Sequence, residues 1–297
     1  MRFFPGTIWN EYEEKYFVMT VDVDGWSSLL NFYNVNHDPE EANLKVKVEE
    51  GIERLIGVFR KHKVKATFFV TGEMARKHAN IIKSILDNDH ELACHGLFHE
   101  KNEFVKDLKS QRHSIEVSTR IIEELSGTNP TGFRAPCLRV NDVTFALLSK
   151  YGYIYDSSIV STFIPGYYGY PGAHTKPYPV FNFTKDNNSN NFLEIPVSVN
   201  PLIPLPLSAA WMRNLGSFWV KFGVKLNFDF GNPVVFYVHP RDVLDLPRVK
   251  GIPWHLYRNV GHSTIKLLED IFEYVKKNDA KFITAETLAQ ISIDKFR

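Results

Sequence analysis

Two aspartates one residue apart, Asp22 and Asp24, close the apolar run Tyr16–Val21. Two histidines four apart, His95 and His99, follow the shorter run Glu91–Cys94. On a helical turn, i, i+4 spacing brings two imidazoles onto one face, as metal-binding pairs require. Two histidines and one carboxylate are the ligand set of a catalytic zinc site with a position left open for water. Each piece alone has a plainer reading: an aspartate pair also suits a turn or helix cap, and histidines also lie on surfaces. Arg134 ends a short extended piece, where its guanidinium suits pairing with a carboxylate. His239 ends the buried run Val234–Val238 and reads as either a satisfied core histidine or a general acid. Cys137 lies close by in sequence, but a nucleophilic thiol needs a paired base and none is visible.

These residues share one kind of position. Strands are expected at Tyr16–Val21, Lys65–Val70, Glu91–Cys94, Thr131–Arg134, Tyr153–Tyr155, Pro233–Val238 and Lys281–Ile283. Helical spacing appears at Lys45–Lys63, from Glu73 to about Asn88, at Glu103–Leu125, from the Asn141 cap to Tyr151, and at Ser208–Leu226, His262–Lys277 and Ala285–Ile291. Residues 26–44 read as a loop, and 165–191 as long loops with one hairpin, Pro179–Phe183 against Phe192–Pro196. Alternating strand and helix point to a parallel sheet or a β/α barrel. Asp22, Asp24, His95, His99, Arg134, Asp156 and His239 all follow strands, and in a barrel those ends share the catalytic face.

The chain has 297 residues, enough for one large domain, and neither a repeat nor a linker is visible, so a single domain is expected with its core at about 16–290. Lysine plus arginine number 35 and aspartate plus glutamate 34, which leaves no basic excess for a nucleic-acid binder. Cys94 and Cys137 are too few for a disulfide framework, and Cys94 reads as a small buried residue. No apolar run reaches the ~20 residues of a membrane span, and the N-terminus, with its acidic residues, does not read as a signal peptide. A cytoplasmic protein is the expectation, with peripheral membrane association left open. Pro201–Leu226 is apolar and aromatic: a core-facing helix first, with cleft wall ahead of subunit interface for Leu202, Ile203, Leu205 and Leu207 before it.

The motifs resemble those of the polysaccharide deacetylase superfamily, in order and spacing. They are TVDVDG at Thr20–Gly25, KATFFVTGEMA at Lys65–Ala75, HELACHGLFHE at His90–Glu100, GFRAP at Gly132–Pro136, YDSS at Tyr155–Ser158 and FYVHP at Phe236–Pro240. The resemblance implies a distorted (β/α) barrel of about seven parallel strands and one divalent metal, zinc foremost, with Co, Ni, Mn or Fe as alternatives. It implies Asp22 as general base, Asp24, His95 and His99 as metal ligands, and Arg134 as the residue that orients the base. Asp156 would support His239, the general acid, and the Cys137 N–H would help hold an oxyanion. Trp26, Pro136 and Tyr167 are candidate substrate contacts.

Val23 separates the aspartates where many members have them adjacent, as in the branch with exopolysaccharide deacetylases, peptidoglycan deacetylase-like proteins and metal-free allantoinase-like relatives. Cys137 stands where many members have an aromatic residue. The implied activity is hydrolysis of an N-acetyl group on an amino-sugar glycan. Alternatives are another non-peptide C–N bond (a cyclic imide or ureide, or a lipid-linked formylated amino sugar) and non-catalytic glycan binding. Partners are an acetylated glycan, no nucleic acid, and an open question of homo-oligomers.

Overall fold

A computed structural model describes residues 12–165, 168–180 and 192–296. Nine strands form one sheet among them: β1 Tyr16–Val23, β2 Ala66–Val70, β3 Glu91–Cys94, β4 Gly132–Phe133, β5 Tyr155–Asp156, β6 Tyr178–Pro179, β7 Leu193–Glu194, β8 Val234–Val238 and β9 Lys281–Phe282. The order is β6-β7-β5-β4-β3-β2-β1-β8, with β9 against β1. Only β6–β7 is antiparallel, so eight strands run parallel where about seven were expected. The added one is β7, read as a hairpin arm; it pairs with β6 but also lies parallel to β5. Beyond β7 the Ser198 N–H reaches the Val235 carbonyl at 3.0 Å, which joins that side to β8 and curls the sheet into a distorted β/α barrel.

Strands β1, β2 and β8 are apolar along most of their length because a parallel strand is covered on both faces. Period two then sorts β1. Phe17, Met19, Val21 and Val23 pack outward against the surrounding helices. Val18 joins Phe69, Ala93, Tyr155, Ile195 and Val235 in a separate cluster, capped by Leu288 and Ala289 of the C-terminal helix Ala285–Phe296. Thr20 and Asp22 share the parity of Val18, so β1 carries an apolar floor, a hydroxyl and a carboxylate up one inner face, and Asp24 follows just past its end. Gly132 keeps that interior open to Tyr155: a Cβ on it would lie 2.1 Å from the tyrosine ring.

The helices differ from expectation where local chemistry interrupts the hydrophobic period. The stretch 26–44 holds two helices, Trp26–Phe32 and Pro39–Lys45, the second started by Asp38, whose side chain accepts from the Glu41 N–H ahead of Pro39 at the first helical position. The 73–88 segment splits at His78 into Gly72–Lys77 and Ala79–Asp87. The 208–226 helix breaks at Gly216, whose φ of +87° no helix accommodates, giving Ala209–Leu215 and Ser217–Asp229. Leu207 enters the core, whereas Leu202 and Ile203 are exposed. Among the described residues no helix is long and apolar enough to cross a membrane.

Candidate active site

Arg134 is completely buried and fixes the inner face of the barrel mouth. Its Nη1 donates to Thr20 Oγ1 at 2.8 Å and to Asp22 Oδ1 at 2.7 Å. Its Nε and Nη2 donate to the Ser157 carbonyl and hydroxyl at 2.9 and 2.8 Å. The guanidinium lies 4.3 Å from the Phe69 ring centroid. Burial works to raise the pKa of Asp22, but Arg134, His95 and His239 together hold its carboxyl below the usual range. Asp22 is therefore an aimed, ionised carboxylate at the floor of a cleft.

His95 follows β3 directly, and its N–H continues the ladder to the Val70 carbonyl at 2.9 Å. His99 does not follow on a helical turn, contrary to expectation. The segment is a loop with Gly96 at φ +75° and His99 at φ +56°. Its shape comes from the buried Glu103, whose carboxylate accepts from the N–H groups of Leu97, Phe98 and Glu100 at 2.6, 3.3 and 3.2 Å. A Cβ on Gly96 would meet the Phe104 ring at 2.8 Å and Glu103 Oε1 at 2.9 Å, so this tight return needs glycine. The outcome still brings the imidazoles together, with ring centroids 5.1 Å apart.

His99 Nε2 lies 3.5 Å from Asp24 Oδ2. Asp24 Oδ1 accepts from Arg241 Nη1, a partner absent from the sequence reading. Burial opposes ionisation of Asp24, but Arg241 and His99 hold its carboxyl below the usual range. His95 Nδ1 donates to the Arg134 carbonyl at 2.8 Å, which leaves the Nε2 lone pair available. On these three side chains Asp24 Oδ2, His95 Nε2 and His99 Nδ1 are buried without a hydrogen-bond partner. Among the described residues no three histidine, cysteine, aspartate or glutamate side chains stand close enough together to hold a metal ion as they are. The donor chemistry nonetheless fits a divalent ion, with two neutral imidazoles and one carboxylate, each with an unpartnered polar atom.

His239 follows β8 and faces the same cleft. Its carboxylate partner is Asp242, not Asp156 as expected. Asp242 Oδ2 accepts from the His239 N–H at 2.8 Å and lies 3.5 Å from Nδ1. Asp242 Oδ1 is 3.0 Å from the buried Arg213. A carboxylate at the third position of the Pro240–Val243 turn is the signal that could have revealed it. Asp156 instead faces Glu194, and burial raises both carboxyls, with Glu194 held well above its ordinary range. Asp156 also accepts from the Ser158 hydroxyl at 2.7 Å, and that oxygen accepts from the Ala135 N–H at 2.8 Å. Asp156 thus steadies the loop that carries Arg134 rather than the histidine.

Cys137 and Leu138 both take left-handed backbone, at φ +56° and +54°. The hydrogen bond of that turn runs from the Leu138 N–H to the Ala135 carbonyl at 3.0 Å, so the Cys137 N–H is not used to close it. Burial pushes the Cys137 thiol up to about 12, which opposes formation of the nucleophilic thiolate. Cys94 is buried, as expected. Trp26 does not line the cleft: it is buried against Leu30, Ala42, Val46, Leu244 and Ile252. Pro136 is buried too, and Cys137 and Leu138 line the cleft in its place. Tyr167 lies outside the described residues.

The fold and the cleft define a β/α-barrel protein with acid–base side chains at the C-terminal ends of its strands. Residues 12–155 match the polysaccharide deacetylase family profile, and residues 157–290 match a domain of unknown function (DUF3473). Residues 12–155 thus form a polysaccharide deacetylase domain, followed by the DUF3473 region. It is similar to the peptidoglycan deacetylase of Helicobacter pylori, 24% identical over 83% of this chain and 94% of that protein. Among solved structures it resembles a putative polysaccharide deacetylase from Mycobacterium smegmatis, with a TM-score of 0.67, 20% identity, and 96% and 93% of the two chains covered. PuuE allantoinase has a TM-score of 0.65 at 15% identity, with 92% and 89% covered. Likenesses at these identities establish the shared fold.

Proposed function

We propose that this protein is a metal-dependent hydrolase that removes the N-acetyl group from an amino-sugar-containing glycan. The observation that carries the reading is the 2.7 Å pair of Arg134 with Asp22 in a cleft that also holds His239. Asp24, His95 and His99 are the residues that would hold the metal. Held there, a divalent ion would supply Lewis-acid chemistry to the acyl oxygen and the attacking water. Asp22 takes the proton from that water as it attacks the carbonyl carbon. The Cys137 N–H is the proposed backbone donor to the oxyanion. His239, kept in place by Asp242, gives a proton to the nitrogen as the C–N bond breaks. Acetate and a free amine leave.

The whole described chain acts as one unit in this proposal. Support comes from β8, which belongs to the second matched region yet pairs with β1 of the first. The test is release of acetate from N-acetylated chitooligosaccharides and peptidoglycan glycan strands with Zn²⁺ or Co²⁺. Asp22→Asn is expected to slow release about 10²–10⁴-fold while metal content is kept. Wild-type activity in that variant, or loss of its metal, would overturn the role given to Asp22. Opening of cyclic imides or ureides without any acetate release would replace the deacetylase reading.

A further inference from the structure

The cleft beside Asp22 and His239 has a volume of about 570 Å³, within the ~300–1,000 Å³ of small-ligand sites. Away from the acid–base residues its wall changes character. Leu29 and Phe32, from the helix Trp26–Phe32, share the cleft with Trp211, Leu215, Trp254 and Leu256. At the rim Leu215 is 47% exposed and Trp254 67% exposed, so this wall opens to solvent without losing its apolar nature.

Several polar side chains on and behind this wall are engaged, while His255 and Arg258 also line it. The Asn214 amide donates to the Ala210 and His255 carbonyls at 2.8 and 3.2 Å. Arg213 behind it donates to the Leu256 and Arg258 carbonyls at 2.8 and 2.9 Å and pairs with Asp242. Arg241 is committed to Asp24. A sugar ring carries a polar group on nearly every carbon, and each one buried without a partner is penalised. Aromatic residues can stack on a sugar face, but Leu29, Leu215 and Leu256 offer neither a ring nor a donor.

We propose that the substrate carries an extended apolar group, an alkyl or aryl aglycone on an N-acylated amino sugar, and that this group lies along the wall from Trp211 to Leu256. The proposal rests on the deacetylase reading and specifies its substrate class. The acyl-amino end sits at Asp22 and His239, and the apolar end leaves past Leu215 and Trp254. Burying that end releases water from both surfaces, which a glycan lying in the same place would not do to the same extent.

Three probes test this: the octyl glycoside of N-acetylglucosamine below its micelle concentration, the methyl glycoside, and chitotetraose. Acetate release gives kcat/KM, and calorimetry gives Kd for the corresponding deacetylated products. The octyl compound is expected to show a kcat/KM at least tenfold higher than the methyl compound, and its product a Kd at least tenfold lower. Leu215→Ser and Trp254→Ser, at exposed positions that folding tolerates, should each move the octyl-to-methyl ratio towards one. Equal turnover of the two glycosides, or preference for chitotetraose, overturns the apolar-aglycone proposal and leaves the deacetylase reading in place. Octyl-selective binding that both variants weaken, with no acetate released from any probe, keeps the apolar wall and overturns the deacetylase reading.

Discussion

Asp242 lies one turn beyond His239 and meets it twice, accepting from its N–H at 2.8 Å and lying 3.5 Å from its Nδ1. The same carboxylate is 3.0 Å from Arg213 on the helix Ala209–Leu215. Burial disfavours its charge, but Arg213 and His239 hold its pKa far below the usual carboxylate range. His239 is thereby oriented by a permanent anion that is itself pinned from behind.

Asp242→Asn should lower kcat by about 10²-fold, the low end of what a positioned acid contributes, with metal content unchanged. Asp156→Asn should instead act on stability, through Ser158 and the Ala135 loop. Steady-state kinetics beside thermal unfolding separates the two. The opposite pattern, with kcat lost only in Asp156→Asn, would return the supporting role to Asp156.

Arg134→Lys keeps the charge but loses the fork that reaches Thr20, Asp22 and Ser157 at once. Leaving Asp22 buried with a poorly placed partner should cost about 3 kcal/mol of stability and reduce kcat at least ~10-fold. Chemical denaturation and turnover measure these. Unchanged values in both would show that charge alone suffices at this position.

Arg241 fixes one oxygen of Asp24 and leaves the other unpartnered on the side of His99. On the proposed ligand assignment, Arg241→Ala should weaken metal affinity about 10–100-fold, as expected when the partner of a ligand is removed. Chelator competition with Zn²⁺ reads the affinity directly. Tighter binding in the variant would make Arg241 a competitor for Asp24 instead of its support.

Glu91 gives the fold a pH dependence. Burial pushes its pKa up to about 7, even though Thr67, Tyr155 and the Glu286 N–H all donate to it. The folded state therefore binds a proton that the unfolded chain releases above the ordinary value of 4.5. This contribution is full below that value and declines as pH rises to about 7, by up to ~3 kcal/mol. The buried His90, held down at about 4, works in the opposite sense as pH falls from 6.5. The difference between wild type and Glu91→Gln cancels the histidine and isolates the glutamate. That difference should shift in favour of the variant between pH 4.5 and 7; a flat difference would remove Glu91 as the source.

The primary structure already determined the barrel and the placement of its chemistry. Long apolar strands mark a sheet covered on both faces, and strand-end polar residues in parallel strands must share one mouth. Asp22 and Asp24 stand at and just past the end of β1, so the apolar run before them already puts both carboxylates at that mouth. Tertiary structure decided which partners these residues meet. His95 and His99 approach through a loop shaped by Glu103, a contact that helical spacing does not encode. Trp26 turned into the core because residues 26–44 fold into two helices that cover it. Asp242, Arg213 and Arg241 entered the site, and Asp156 left the expected one, because ion pairs depend on distances across the barrel and not along the chain. A carboxylate that must be buried pairs with whichever cation the packing brings within reach, and only the folded chain sets that reach.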